Sequence, residues 1–176
     1  ANGCEKSDSV IITEAPAIAL SVSVTNVLCN GAATGAIDLT VSGGTGVYDY
    51  TWSNGANTQD ISGLIAAAYS VTVLDGNSCS ATVSATITQP AALVMNSSVQ
   101  NVGCAGGNNG SVDITVQGGV FPYNYLWTTG ATTEDIYNVS GGTYDVTVTD
   151  ANACTITASF TISEPNGITS SVTGTD

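Results

Sequence analysis

The feature that most constrains this chain is a sentence written twice. Residues 29–79 and 104–154 align without a gap over 51 positions, 23 of them identical. Trp52 recurs as Trp127 and Asp60 as Asp135, each 75 residues on, and Cys4, Cys79 and Cys154 keep the same spacing. A fixed period of this kind means that one period is one structural unit, stacked in series. The units are expected at 16–90 and 91–165. Residues 1–15 resemble the last strand of a preceding unit, and 166–176 the start of a following one. Pro16, Pro90 and Pro165 mark the junctions, and the chain reads as a window from a longer array.

Inside a unit the apolar period is two rather than 3.6, the spacing of strands. Ile18, Leu20, Val22 and Val24 alternate with small residues, and so do Ile37, Leu39 and Val41. Tyr48, Tyr50 and Trp52 share one parity, as do Tyr69, Val71 and Val73, then Val83, Ala85 and Ile87. Turn sequences such as SNGA and DGNS separate these runs, and no stretch keeps helical periodicity over ten residues. Short strands about ten residues apart predict an all-β sandwich. Tyr50, Trp52, Tyr125 and Trp127 are the expected core aromatics. A core of some 75 residues is marginal without a staple.

Two cysteines per unit, 50 residues apart, supply a candidate staple. In an up-and-down strand order, Cys29 and Cys79 fall at one pole of the sandwich. The same order places Cys104 beside Cys154, so disulfides within each unit are expected, in an oxidising, extracytoplasmic setting. Zinc is a poor alternative without CxxC or histidine, and no basic neighbour activates a thiol. One Lys+Arg against 14 Asp+Glu gives a net charge of −13. That excludes nucleic acid and anionic membrane surfaces as expected partners, since both need cationic side chains. The longest apolar runs fall far short of the roughly 20 residues that span a bilayer, so no membrane insertion is expected.

Catalytic chemistry finds no foothold in the pattern. There is no histidine to serve a Ser or Cys nucleophile, and Asp38, Asp60 and Asp75 recur in both units as Asp113, Asp135 and Asp150. The glycine-rich SGGTG and QGGVFP lack the lysine and helix of a phosphate loop and predict hairpin turns. Asp60 is expected to cap a turn or face solvent. Calcium is conceivable at the Asp75 and Asp150 turns, but each offers one carboxylate, and turn stabilisation is the simpler role. No cofactor is expected. Exposed aromatics for sugar stacking do not repeat: Tyr137 and Phe121 stand where the first unit has Ser62 and Gly46. Asn96-Ser97-Ser98 and Asn138-Val139-Ser140 match the N-glycosylation sequon.

Taken together, GAIDLTVSGGTG, YTWSNG, TQDISGL, YSVTV and the Asp-to-Cys turn resemble the SprB-type repeat of Bacteroidota surface proteins, over nearly the whole chain. The resemblance implies tandem immunoglobulin-like β-sandwiches of about 75 residues, end to end, in very large cell-surface adhesins. It further implies export by type IX secretion, an outer-membrane-associated location and, for some members, gliding motility. A disulfide-stapled stalk presenting distal adhesive regions follows as the expected role, with neighbouring repeats as partners. Direct binding of surface polysaccharide by the repeats, with or without calcium, is the alternative.

Overall fold

A computed structural model describes every residue except Ala1, Ile12 and 172–176. The chain divides into two compact units. One comprises Ala1–Asn26 and Thr34–Ile87; the other comprises Val27–Ala33 and Thr88–Asp176. The loop 27–33, first-repeat by sequence, is thus part of the second unit. All regular structure among the described residues is strand.

The first unit contains β1 (Ala19–Thr25), β2 (Gly35–Ser42), β3 (Tyr48–Trp52), β4 (Ile61–Leu64), β5 (Ala68–Asp75) and β6 (Ser80–Thr86). They form two three-stranded antiparallel sheets, β1-β2-β4 and β3-β5-β6. The second unit repeats this with β7 (Val94–Gln100), β8 (Gly110–Gln117), β9 (Asn124–Trp127), β10 (Ile136–Val139), β11 (Gly142–Thr149) and β12 (Thr155–Ile162), in sheets β7-β8-β10 and β9-β11-β12. This order is that of an immunoglobulin sandwich, strands A-B-E over C-F-G, with strand D absent. Two local signatures agree. A buried Trp ends the third strand of each unit. The Tyr69 hydroxyl, at the start of β5, donates back to the Ile65 carbonyl (3.1 Å), and Tyr144 does the same to Ser140 (2.9 Å). That is the tyrosine corner of such sandwiches.

Period-two patterning closes the core. In the second unit Val112 and Ile114 of one sheet meet Trp127, Val146 and Val148 of the other, with Ile162 beside them. Ile37, Leu39, Trp52, Val71 and Val73 are the buried counterparts in the first unit. A bulge interrupts β4 and β10 at one equivalent position. The extra residue there needs positive φ, met by Gly63 (69°) in one unit and Asn138 (57°) in the other.

Two expectations need correction. The glycine-rich segments are not hairpins: β2 and β3 lie in different sheets, so residues 43–47 carry the chain from one sheet to the other. The strand order is not up-and-down. Trp52 pairs with Val71 at one end of β3, and Ile61 then starts β4 opposite Ile37 with the chain running in the same sense as β1. The loop 53–60 has therefore carried the chain back along the sandwich without a strand, and every later strand is reversed relative to the simple count. Residues 2–11 and 13–15, which resemble β6 and β12 in sequence, are not in a strand. Those two strands each pair with the strand before them, and this segment pairs with none among the described residues.

Candidate functional site

The Trp-to-Asp stretch is a scaffold for that returning loop. The Trp52 indole N–H donates to the Thr58 carbonyl (2.8 Å), and the Thr58 hydroxyl to the Asp60 carbonyl (2.6 Å). The ladder between β2 and β4 stops at Ile37, which leaves the Leu39 N–H beyond its end. The Asp60 carboxylate accepts a hydrogen bond from it at 2.9 Å, in place of a strand. Trp127, Thr133, Asp135 and Ile114 repeat the set at 2.9, 2.6 and 2.8 Å. Trp52 and Trp127 are each only 2% exposed. Tyr50 and Tyr125 are half-buried at the edge of this cluster rather than inside it. Burial, then the Glu134 carboxylate beside it, pushes the Tyr125 hydroxyl up to about 12.

The Asp75 turn is the second construction. Asp75 Oδ1 accepts from the backbone N–H of Asn77 (3.0 Å) and Cys79 (2.9 Å), and Oδ2 from that of Thr45 (3.1 Å). Asp150 does the same with Asn152, Cys154 and Val120, at 2.8, 2.9 and 2.9 Å. One buried carboxylate thus ties the cysteine turn to the sheet-crossing loop. It also explains the glycine pair: a Cβ on Gly44 or Gly119 would meet the carboxylate at 2.9 or 2.7 Å. Burial alone would raise both carboxyl pKa values. The amide donors, Cys79 and Cys154 foremost, outweigh it and hold both below the ordinary carboxylate range. These oxygens serve as turn acceptors, and no group of three or more metal-capable side chains occurs among the described residues.

Cysteine pairing differs from the expectation. Cys29 bonds Cys154, with Cα atoms 5.6 Å apart, whereas Cys4, Cys79 and Cys104 are exposed free thiols. The intra-repeat pairs Cys29 with Cys79 and Cys104 with Cys154 are therefore not formed. The reason is the loop 53–60. Cys29 follows β1, at the end of the sandwich where β6 finishes, while Cys79 follows β5 at the opposite end, beside Gly44 and Thr45. Within the second unit the loop 27–33 is seated by hydrogen bonds. Val27 N–H donates to the Thr88 carbonyl (3.0 Å) and Gly31 N–H to Gln89 Oε1 (2.8 Å). Asn30 Nδ2 donates to the Pro90 carbonyl (3.0 Å), and Asn152 Nδ2 to the Leu28 carbonyl (2.9 Å). Sequence spacing alone does not reveal this, because the repeat puts four cysteines in equivalent places and only the strand sense says which ends meet.

Residues 21–57 and 96–132 each match the model of one family, the SprB repeat. Two segments of the chain are thus similar to the SprB repeat. Each match begins within the first strand, takes in the Cys loop, the second and third strands and the Trp of the repeat, and stops before the Asp-to-Cys turn. No curated protein sequence matches the chain. Among solved structures, the repeats are similar to the N-terminal eight Ig domains of Down Syndrome Cell Adhesion Molecule (TM-score 0.47, 11% identity, 86% of this chain and 25% of that one). Four N-terminal Ig domains of Dscam1 isoform 9.44 (TM-score 0.40, 12%, 88% and 47%) and the amphioxus IgVJ-C2 molecule (0.33, 14%, 85% and 98%) are further examples. The chain spans a quarter to a half of the first two.

Proposed function

We propose that these SprB repeats are a segment of a bacterial cell-surface adhesin and act there as a disulfide-stapled stalk that holds adhesive regions away from the cell. The observation that carries this reading is the staple itself. Cys29 belongs to one sequence repeat and Cys154 to the next, and the bond connects residues 125 apart. A bond of that span removes up to about 5 kcal/mol of unfolded-chain entropy on the loop-closure model. It also shelters most of both repeats from tension, which a spacer under load needs and a small binding module does not. A near absence of cations fits an extracellular array that repels itself, over roughly 10 Å at ordinary salt. Attachment at the outer membrane, type IX export and service in gliding belong to the same proposal through the family resemblance.

A second reading has one specific observation behind it. Tyr137 and Phe121 are exposed at 59% and 79%, and a cleft of about 450 Å³ runs between Thr129, Glu134, Asp135 and Tyr137. A glycan stacked on Tyr137 is the ligand that this chemistry suits. Its weakness is that Ser62 replaces Tyr137 in the first repeat. Screening the 176-residue chain on a glycan array separates the two. The stalk reading expects no retained glycan; saturable binding abolished by Tyr137→Ala would replace it with the second reading.

A further inference from the structure

Each repeat lacks strand D of the immunoglobulin order, and in the second repeat that gap carries chemistry that the first does not have. Strand β10 is an outer strand of the sheet β7-β8-β10. The sense of its backbone follows from Asp135. The Ile114 N–H of β8 points to the β10 side, where it donates to the Asp135 carboxylate (2.8 Å). Backbone groups alternate sides along a strand, so the Val112 N–H points the same way, and Val112 and Ile136 are the bonded pair. Tyr137, one residue on and opposite Ser111, turns its N–H and C=O away from β8. No strand lies beyond that edge among the described residues.

The cleft of about 450 Å³ lies at this edge. Ala131, Ile136 and Val139 give it an apolar lining, Tyr137 a largely exposed ring, and Glu134 and Asp135 a pair of carboxylates. Phenol hydroxyls position both acids: Tyr137 donates to Asp135 Oδ2 (3.1 Å), and Tyr125 hydrogen-bonds Glu134. The Asp113 carboxylate acts on the Tyr137 hydroxyl as well. A stacked sugar would use the ring alone. An apolar trough, an open aromatic face and paired carboxylates together suit a guanidinium on its aliphatic stem. The chain has one basic residue, Lys6, and no arginine, so the occupant belongs to another protein. In the first repeat Gln59 and Ser62 stand in place of Glu134 and Tyr137, so this combination is particular to the second.

We propose that this cleft is a docking site for an extended, arginine-bearing segment of a partner protein, which adds a strand at the open edge of β10. The Tyr137 N–H and C=O pair with the backbone of the segment. Its guanidinium lies over the Tyr137 ring, and the remaining lone pairs of Glu134 and Asp135 accept from it. The two selections are separate: the edge requires an extended chain, and the ring with its acids requires the arginine. The site gives the second repeat a partner of its own, and it holds whether or not the array serves as a stalk.

The test titrates the whole chain, isotope-labelled for NMR, with the peptide acetyl-Thr-Val-Arg-Val-Thr-amide. Shift changes are expected to centre on Asp135, Tyr137 and Val139, with slower hydrogen exchange at the Tyr137 amide. Changing the peptide's Arg to Gln, or Tyr137→Ser in the chain, should each weaken binding about fivefold, as loss of a cation–π contact does. Unmoved indole N–H signals of Trp52 and Trp127 report that each variant has folded. The first repeat supplies the converse: Gln59→Glu with Ser62→Tyr should raise the stoichiometry from one peptide to two. Shifts spread over the acidic residues of both repeats would mean charge attraction alone and overturn the proposal. So would equal binding of the Gln peptide, or affinity untouched by Tyr137→Ser. Arginine amide binding as tightly as the peptide would make this a small-cation site and overturn the added strand.

Discussion

At the scale of single residues, two side chains per repeat do most to hold the architecture. Trp52 fills the end of the core and ties its indole N–H to the returning loop. Trp52→Ala should cost about 3–5 kcal/mol, the range for large aromatic truncations in a core. For a unit this small that approaches its whole stability. Thermal or urea melting checks it, and a melt within a few degrees of the parent would mean that Trp52 is peripheral. The buried turn aspartates make a different prediction. Their carboxyl pKa values are lowered in the folded state, so the stability they add is present above the unfolded value of about 3.9 and is lost as pH falls through the lower folded value. Protonating the other carboxylates relieves repulsion and acts in the opposite direction, so a comparison isolates the effect. Asp75→Asn should lower the melting temperature at pH 7 and narrow its gap from the parent as the pH drops below about 4. A gap independent of pH would show that the Asp75 charge plays no part.

At the scale of elements, strands and loops were unequally legible. The repeat, the period-two runs and the core parity of Trp52 are local patterns, so the strands were readable directly. Which sheet each strand joins is not local. The direction of β4 depends on Asp60 replacing a strand partner for Leu39, a contact 21 residues away in sequence with no periodic signature. Without that one reversal, Cys79 falls at the wrong end and the cysteines are mispaired. The Asp75 turn was visible as a turn, but its bond to Thr45 across 30 residues was not. Non-reducing peptide mapping tests the corrected element arrangement. Lys6 is the chain's one basic residue, so cleavage must be at aromatic or acidic positions. The expected cross-linked peptide joins Cys29 to Cys154; a peptide joining Cys29 to Cys79 would restore the up-and-down order.

At the scale of the whole molecule, the disulfide decides how the chain answers force. Tension applied at the two ends runs along residues 1–29, through the sulfur bridge, and along 154–176. The 124 residues between Cys29 and Cys154 lie outside that path. Pulling one chain by its ends, before and after reductant, tests this most directly. Reduction is expected to add a single increment of roughly 430 Å of contour, at about 3.5 Å per released residue. Two separate increments of roughly 170 Å each, from 49-residue loops closed within each repeat, would contradict it, as would unfolding lengths that reductant leaves unchanged.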